Sequence, residues 1–171
     1  INTSEEVHAV CLFPNLEAAL CFDSYVYGKL IRFPNNEAIF GKQQIYNEQD
    51  QVCGTEPNLL INATEISFDG LWELVRSYDG VMFPAHVDKT ANSLIANLGF
   101  IPPDSRFRTA EVKDLKKLHQ LQKDNPYLDK CRIISNSDAH YLEHMNEPEL
   151  TLQVEEKTVQ GIIDALLDGA G

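Results

Sequence analysis

The spacing of apolar residues along the chain predicts strands and helices that follow one another in alternation. The apolar stretch from Glu6 to Phe13 predicts a strand, and helical spacing from Leu16 to Leu30 predicts a helix with Asn15 at its N-cap. Later segments repeat this order. We predict further strands at 81–86, 108–112, 131–135 and 149–154, and further helices at 67–80, 92–100, 114–123 and 158–168.

This alternation predicts an α/β fold built from β-α-β units, because parallel strands need a crossover connection between them. In such folds the functional groups lie at the C-terminal ends of the strands. Residues 31–64 interrupt the pattern, since they are polar, irregular and rich in turn formers, with a candidate hairpin around Glu48 and Gln49. We interpret them as a surface insertion within a single domain of residues 1–171.

Composition narrows the classes of partner. The chain has a net charge of −12, and sequence-independent affinity for nucleic acid comes mainly from Lys and Arg, so we do not expect a dedicated DNA or RNA binder. No apolar run approaches the ~20 residues that a membrane span needs, so we expect no membrane contact. The four cysteines form no C-x-x-C pair, which is typical of reduced thiols and indicates a cytoplasmic protein.

Four residues stand out as candidate metal ligands. Asp138 and His140 follow an apolar strand and are two residues apart, so in extended backbone both point to the same side. His86 ends another predicted strand, and His8 lies in the first one. Imidazole nitrogen and carboxylate oxygen together suit Zn, Mn or Fe.

Each of these residues also has a purely structural interpretation. Asp138 could cap a helix that begins at Ala139, His86 could be a turn residue after Pro84, and His8 could be a hydrogen-bonded core histidine. We favour the metal interpretation because the structural ones would have to hold at every strand end at once.

A second metal motif overlaps the first. The stretch from His140 to His144 reads H-x-x-E-H, a metalloprotease signature in which Glu143 would be the catalytic base. That motif needs a long helix, but Pro148 stops this one, and few residues follow that could supply a third ligand. We therefore expect His140 to act with distant histidines, and His144 to be exposed.

Three segments together resemble the PHP (polymerase and histidinol phosphatase) family of metal-dependent phosphoesterases. They are EVHAVCLFPNLEAAL, GVMFPAHVDK and CRIISNSDAHYLEHM, in that order, and the resemblance extends from residue 5 to about residue 150. It implies that the chain is part of a distorted (β/α)7 TIM-like barrel of the PHP type. The segment from Phe33 to Thr64 resembles an insertion found in one group of bacterial PHP hydrolases.

The resemblance also implies roles. His8, His86, Asp138 and His140 match metal ligands of the family, whose complete site holds two or three divalent ions, with Asp138 and His140 at the catalytic centre. The family's upstream H-x-H and glutamate ligands have no counterpart in these residues. We therefore expect an N-terminally incomplete PHP domain, whose partner would be either the missing segment or a second copy of the chain.

The expected activity is hydrolysis of a small phosphorylated metabolite or nucleotide. The alternative is a PHP-derived scaffold or interaction module that lacks half of the metal ligands and is not catalytic. A polymerase-associated exonuclease domain is disfavoured by the acidity of the chain. Lys89 is interpreted as a solvated turn residue, with contact to a substrate phosphate as its alternative.

Overall fold

A computed structural model describes residues 1–148 and 150–170. The strands are β1 (Ala9–Leu12), β2 (Gln44–Tyr46), β3 (Val52–Thr55), β4 (Val81–Pro84), β5 (Thr109–Glu111) and β6 (Arg132–Ile134). The α-helices are α1 (Leu16–Gly28), α2 (Glu37–Phe40), α3 (Phe68–Arg76), α4 (Leu94–Leu98), α5 (Leu118–Asp124) and α6 (Val159–Asp168). Single turns of 3-10 helix cover Leu115–Lys117, Pro126–Lys130 and Leu142–His144.

Side-chain caps fix where the main helices begin. The side chains of Asn15, Ser67, Ser93 and Thr158 each accept a hydrogen bond from a backbone N–H in the first turn of α1, α3, α4 and α6 respectively. Such a bond satisfies a donor that has no partner within the helix. The cap predicted at Asn15 is confirmed.

The strands form short pairs. β1 runs antiparallel to β4, with Ala9 opposite Pro84 and Leu12 opposite Val81. β5 and β6 are parallel. β5 also adjoins the end of β4, because the Val87 N–H donates to the Glu111 carbonyl oxygen at 2.8 Å.

The predicted barrel is wrong. The described residues form two-stranded sheets and no closed (β/α)7 TIM-like barrel of the PHP type. A barrel of that kind needs parallel neighbours throughout, whereas β1 and β4 are antiparallel. In addition, helices pack on both faces of β4, since Met82 lies in one buried group with Leu71 and Val75 of α3, and Val81 and Phe83 lie in the other with Ile163 of α6. A strand of such a barrel has helices on its outer face only.

The predicted last strand at 149–154 is not formed by the residues of this segment that the structure describes. Residues 150–154 have no regular secondary structure, and Glu149 lies outside the described residues. Among the described residues, no helix combines the length and apolar character needed to cross a membrane.

Two groups of buried apolar residues stabilise the fold. The larger lies between β1, β4 and β5 on one side and the helices on the other, and includes Leu71, Val75, Met82 and Phe107. The smaller lies beneath α6 on the opposite face of β4. The alternation along β4, with Met82 in one group and Val81 and Phe83 in the other, follows from the two-residue period of a strand.

Residues 31–64 contain the hairpin of β2 and β3, whose turn includes the predicted Glu48 and Gln49. This segment leaves and rejoins the rest of the protein at one place, where Leu30 bridges Thr64. Glu56 holds it to α1, since its carboxylate accepts hydrogen bonds from the Tyr27 hydroxyl and the Asn58 backbone N–H at 3.0 and 2.8 Å.

Candidate metal site

The antiparallel pairing of β1 and β4 brings His8 and His86 together. His8 directly precedes β1 rather than lying inside it, and His86 follows the end of β4. The start of β1 and the end of β4 are paired, and the Ala85 N–H donates to the His8 carbonyl oxygen at 3.0 Å. The two imidazole centroids are 5.4 Å apart, with the ring planes at 62°.

That separation fits two imidazoles on one ion. With metal–nitrogen bonds of about 2.0–2.1 Å and tetrahedral angles, the ring centroids of two histidine ligands lie about 5 Å apart. His86 is only 3% exposed, and its Nδ1 has no hydrogen-bond partner among the described residues. A buried ring nitrogen without a partner costs free energy, so it is a candidate ligand atom.

The charge state of His8 is compatible with this interpretation. Burial lowers the pKa of His8, and the neighbouring His86 lowers it further. Metal ions bind the neutral imidazole, so a lowered pKa increases the fraction of His8 that can act as a ligand near neutral pH.

Asp138 lines the same pocket but is engaged by lysine. Its Oδ2 is 2.7 Å from the Lys89 ammonium and 3.9 Å from that of Lys113. Burial favours the protonated carboxyl, but the hydrogen bond and charge of Lys89, with the charges of His86 and Lys113, hold the pKa of Asp138 below its usual range. The negative charge of this carboxylate is therefore balanced by the two lysines without a metal.

His140 lies beside Asp138 on the solvent side. Its Nε2 is 3.8 Å from the Asp138 Oδ1, and its side chain is 79% exposed. It does not line the pocket that contains His8 and His86. The structure therefore brings three of the four predicted ligands to one pocket and leaves the fourth at its edge.

The overlapping protease motif lacks its helix. Leu142–His144 form one turn of 3-10 helix after His140, and His144 is exposed against the Tyr141 ring. One such turn cannot present His140 and His144 on a single helical face, which H-x-x-E-H requires.

A complete ligand set is not in place. Within residues 1–148 and 150–170, no three His, Cys, Asp or Glu side chains are grouped so that they could hold an ion. The fit to a metal is therefore partial. His8 and His86 are suitably spaced, and Asp138 would have to exchange Lys89 for the ion.

Glu111 belongs to this pocket and was missed in the sequence. It ends β5 and is only 5% exposed. Its Oε1 accepts from the His86 backbone N–H at 3.2 Å, and its Oε2 accepts from the Asn136 side-chain amide at 2.9 Å. The available signal was a carboxylate at the C-terminal end of an apolar strand, the same signal that drew attention to Asp138.

Both polar and apolar residues line the pocket, whose volume is about 430 Å³. The apolar lining includes Leu60 and Ile61 of the insertion and Val10 of β1, beside the polar residues described above. The pocket therefore offers a ligand charged and polar groups together with apolar surface.

Comparisons of the chain with protein-family models, with curated proteins and with solved structures found no match. The geometry of the pocket and the residues that line it are therefore the basis for the function proposed below.

Proposed function

We propose that this chain contributes to the active site of a metal-dependent phosphoesterase that hydrolyses a small phosphorylated metabolite or nucleotide. One observation carries the proposal: His8, His86 and Asp138 come from three distant segments and line one pocket. None of the four cysteines forms a disulfide bond in the structure, which supports a cytoplasmic setting for the proposed activity.

In this proposal His8 and His86 would hold the ion by one ring nitrogen each, and Asp138 would join them with a carboxylate oxygen. A divalent ion bound there would polarise a phosphoryl oxygen and lower the pKa of its water, which would make hydroxide available at neutral pH. Zn, Mn and Fe all accept this mixture of nitrogen and oxygen donors. Further donors, for two or three ions, would come from a second copy of the chain.

The lysines beside Asp138 account for binding of an anion by so acidic a chain. Lys89 and Lys113 both lie within 4 Å of the Asp138 carboxylate. If Asp138 turns to an ion, the two ammonium groups become available to a phosphate. The remaining carboxylates of the surface are screened beyond ~8–10 Å at physiological ionic strength.

His140 has a separate part in the proposal. Its imidazole is exposed and lies beside Asp138, so it can exchange protons with bulk water at the edge of the pocket. A proton accepted from the attacking water or given to the leaving alkoxide could pass through this group.

A second candidate is a non-catalytic scaffold or interaction module. It is favoured by the ion pair of Lys89 with Asp138, which satisfies the carboxylate without a metal, and by the incomplete ligand set in the described part of the chain. The two candidates differ in whether the purified chain binds a divalent ion.

Metal binding and hydrolysis test the choice. We expect the chain to bind a divalent ion in calorimetric titrations with Zn²⁺, Mn²⁺ and Co²⁺, and to hydrolyse a chromogenic phosphate ester in the presence of that ion. His86→Ala and Asp138→Ala should abolish both properties. His119→Ala is the control, because His119 is exposed on α5, away from the pocket.

Two outcomes would contradict the phosphoesterase. One is a chain that binds none of these ions and shows no turnover, which would favour the scaffold. The other is unchanged turnover in both His86→Ala and Asp138→Ala.

A further inference from the structure

We propose that Glu111 is a positioning residue, which holds the His86 imidazole against that of His8 and ties the segment bearing Asp138 to the same point. The proposal deepens the function proposed above and rests on it for its catalytic meaning. Its structural content, a hydrogen-bonded clamp made by one buried carboxylate, can be tested without any metal.

Glu111 binds the backbone after β4 at two consecutive residues. Its side-chain Oε1 accepts from the His86 N–H at 3.2 Å, and its carbonyl oxygen accepts from the Val87 N–H at 2.8 Å. Both His86 and Glu111 are buried, so water cannot replace either bond easily. The direction of the chain at His86 is therefore set from β5.

The backbone of His86 needs such a restraint. Its φ is +32°, in a region that residues with a side chain rarely adopt. Unfavourable backbone conformations of this kind persist where surrounding contacts determine them, and they concentrate at functional sites. The Glu111 side chain supplies one of those contacts directly, at the N–H of the residue whose conformation is unfavourable.

The other carboxylate oxygen reaches the third segment of the site. The Oε2 accepts from the Asn136 Nδ2 at 2.9 Å, and Asn136 lies two residues before Asp138. Asp138 also has a positive φ, of +49°. One carboxylate thus connects the His86 backbone with the loop that delivers Asp138.

The hydrogen-bond partners of the Glu111 side chain explain why a carboxylate is needed at this position. Both partners of the side chain are N–H donors, and a carboxylate is the group that can accept with both of its ends. Alanine at position 111 would leave the His86 N–H and the Asn136 amide without an acceptor. Aspartate at position 136 would place two carboxylates in contact.

The test uses a reciprocal exchange. Glu111→Ala and Asn136→Asp each break the clamp, whereas Glu111→Gln combined with Asn136→Asp restores it, because the glutamine amide then donates to the new aspartate. Glu65→Ala is the matched control, since Glu65 is an exposed glutamate paired only loosely with Lys29, at 3.8 Å. All chains are compared by thermal unfolding, so that only folded variants are interpreted.

The first readout needs no metal. Ring protons of His8 and His86 should show a nuclear Overhauser effect in the wild type, given rings 5.4 Å apart. We expect that signal to be lost in Glu111→Ala and Asn136→Asp, and to return in the double variant. Retention of the signal in both single variants would overturn the proposal. If Glu111→Ala does not fold, Asn136→Asp and its rescue decide alone.

The second readout is the dissociation constant for Co²⁺ and the absorption spectrum of the bound ion. Partners that orient a metal ligand typically change affinity by about 10–100-fold when removed, and we expect a loss of that size in the single variants, with recovery in the double variant. A wild type that binds none of Zn²⁺, Mn²⁺ and Co²⁺ and shows no turnover contradicts the proposed function, and the ring-contact result then decides on Glu111. Equal affinity in wild type and single variants contradicts the role of Glu111 at the metal.

Discussion

Two adjacent isoleucines in α6 provide a direct test of how this helix packs. Ile163 is 1% exposed and belongs to the buried group with Val81 and Phe83, whereas Ile162 is 40% exposed. Truncating Ile163 to alanine removes three buried carbons at about 0.8 kcal/mol each, and the remaining cavity adds to this loss. The better helix propensity of alanine returns less than about 0.7 kcal/mol.

We therefore expect Ile163→Ala to lower the free energy of unfolding by about 2.5–3 kcal/mol. Ile162→Ala should lower it by about 1 kcal/mol, because part of that side chain is already in water and solvent fills the space that it leaves. The difference of about 2 kcal/mol corresponds to about 4–8 °C in Tm for a domain of this size. Urea denaturation followed by circular dichroism, with thermal scans alongside, measures both quantities.

Similar losses in the two variants would refute this packing of α6, and with it one of the two reasons given for the absence of a barrel. A double-mutant cycle of Ile163→Val with Phe83→Leu then locates the contact. Side chains in contact show coupling of about 0.5–3 kcal/mol, whereas additive effects would place Ile163 away from β4.

Two further predictions concern single side chains. Iodoacetamide near pH 7.5 should rapidly alkylate only the exposed Cys21 and Cys53, because the thiolate is the reactive form and burial raises the pKa of Cys11 to about 11 and that of Cys131 to about 12. Mass spectrometry of the intact chain should therefore show two labels. Equal rates of alkylation at all four thiols would contradict this prediction. The hydrogen bond from the Asn58 N–H holds the pKa of Glu56 below its usual range, so the contribution of Glu56 to stability is present above its unfolded pKa and is lost as pH falls through the lower folded value. The Asn58 amide resonance should accordingly titrate with a midpoint below pH 4.5. If this resonance titrates in the same way in Glu56→Gln, the titration belongs to another group and the prediction is wrong.

Local features of the fold could be predicted from the sequence because short-range interactions determine them. The caps of α1 and α3 depend on Asn15 and Ser67 and on nearby N–H groups. The strand predicted at 81–86 was evident from its apolar residues, and the structure has it at Val81–Pro84. Strand direction was not evident, because the period of apolar residues is the same whether β1 pairs parallel or antiparallel with β4.

The candidate site, like the fold, could be predicted from the sequence only in part. The order of histidines and aspartate along the chain led to three residues that line one pocket, and their roles as metal ligands stay predictions. The outward position of His140 and the pairing of Asp138 with Lys89 depend on a loop conformation that no pattern in the sequence encodes. Glu111 was missed because a glutamate in a strand suggests an exposed position unless its hydrogen-bond partners are known.

The antiparallel ladder of β1 and β4 has a consequence for how this protein can vary. The chain leaves β1 after Leu12 and enters β4 at Val81, and these two residues face each other at the end of the ladder remote from His8 and His86. The whole segment between Leu12 and Val81, including the hairpin of β2 and β3, therefore begins and ends at the side of the ladder away from the two histidines. Replacing the segment that carries Leu60 and Ile61 should therefore change the lining of the pocket while the two imidazoles keep their spacing, so these two parts of the pocket can vary independently of each other.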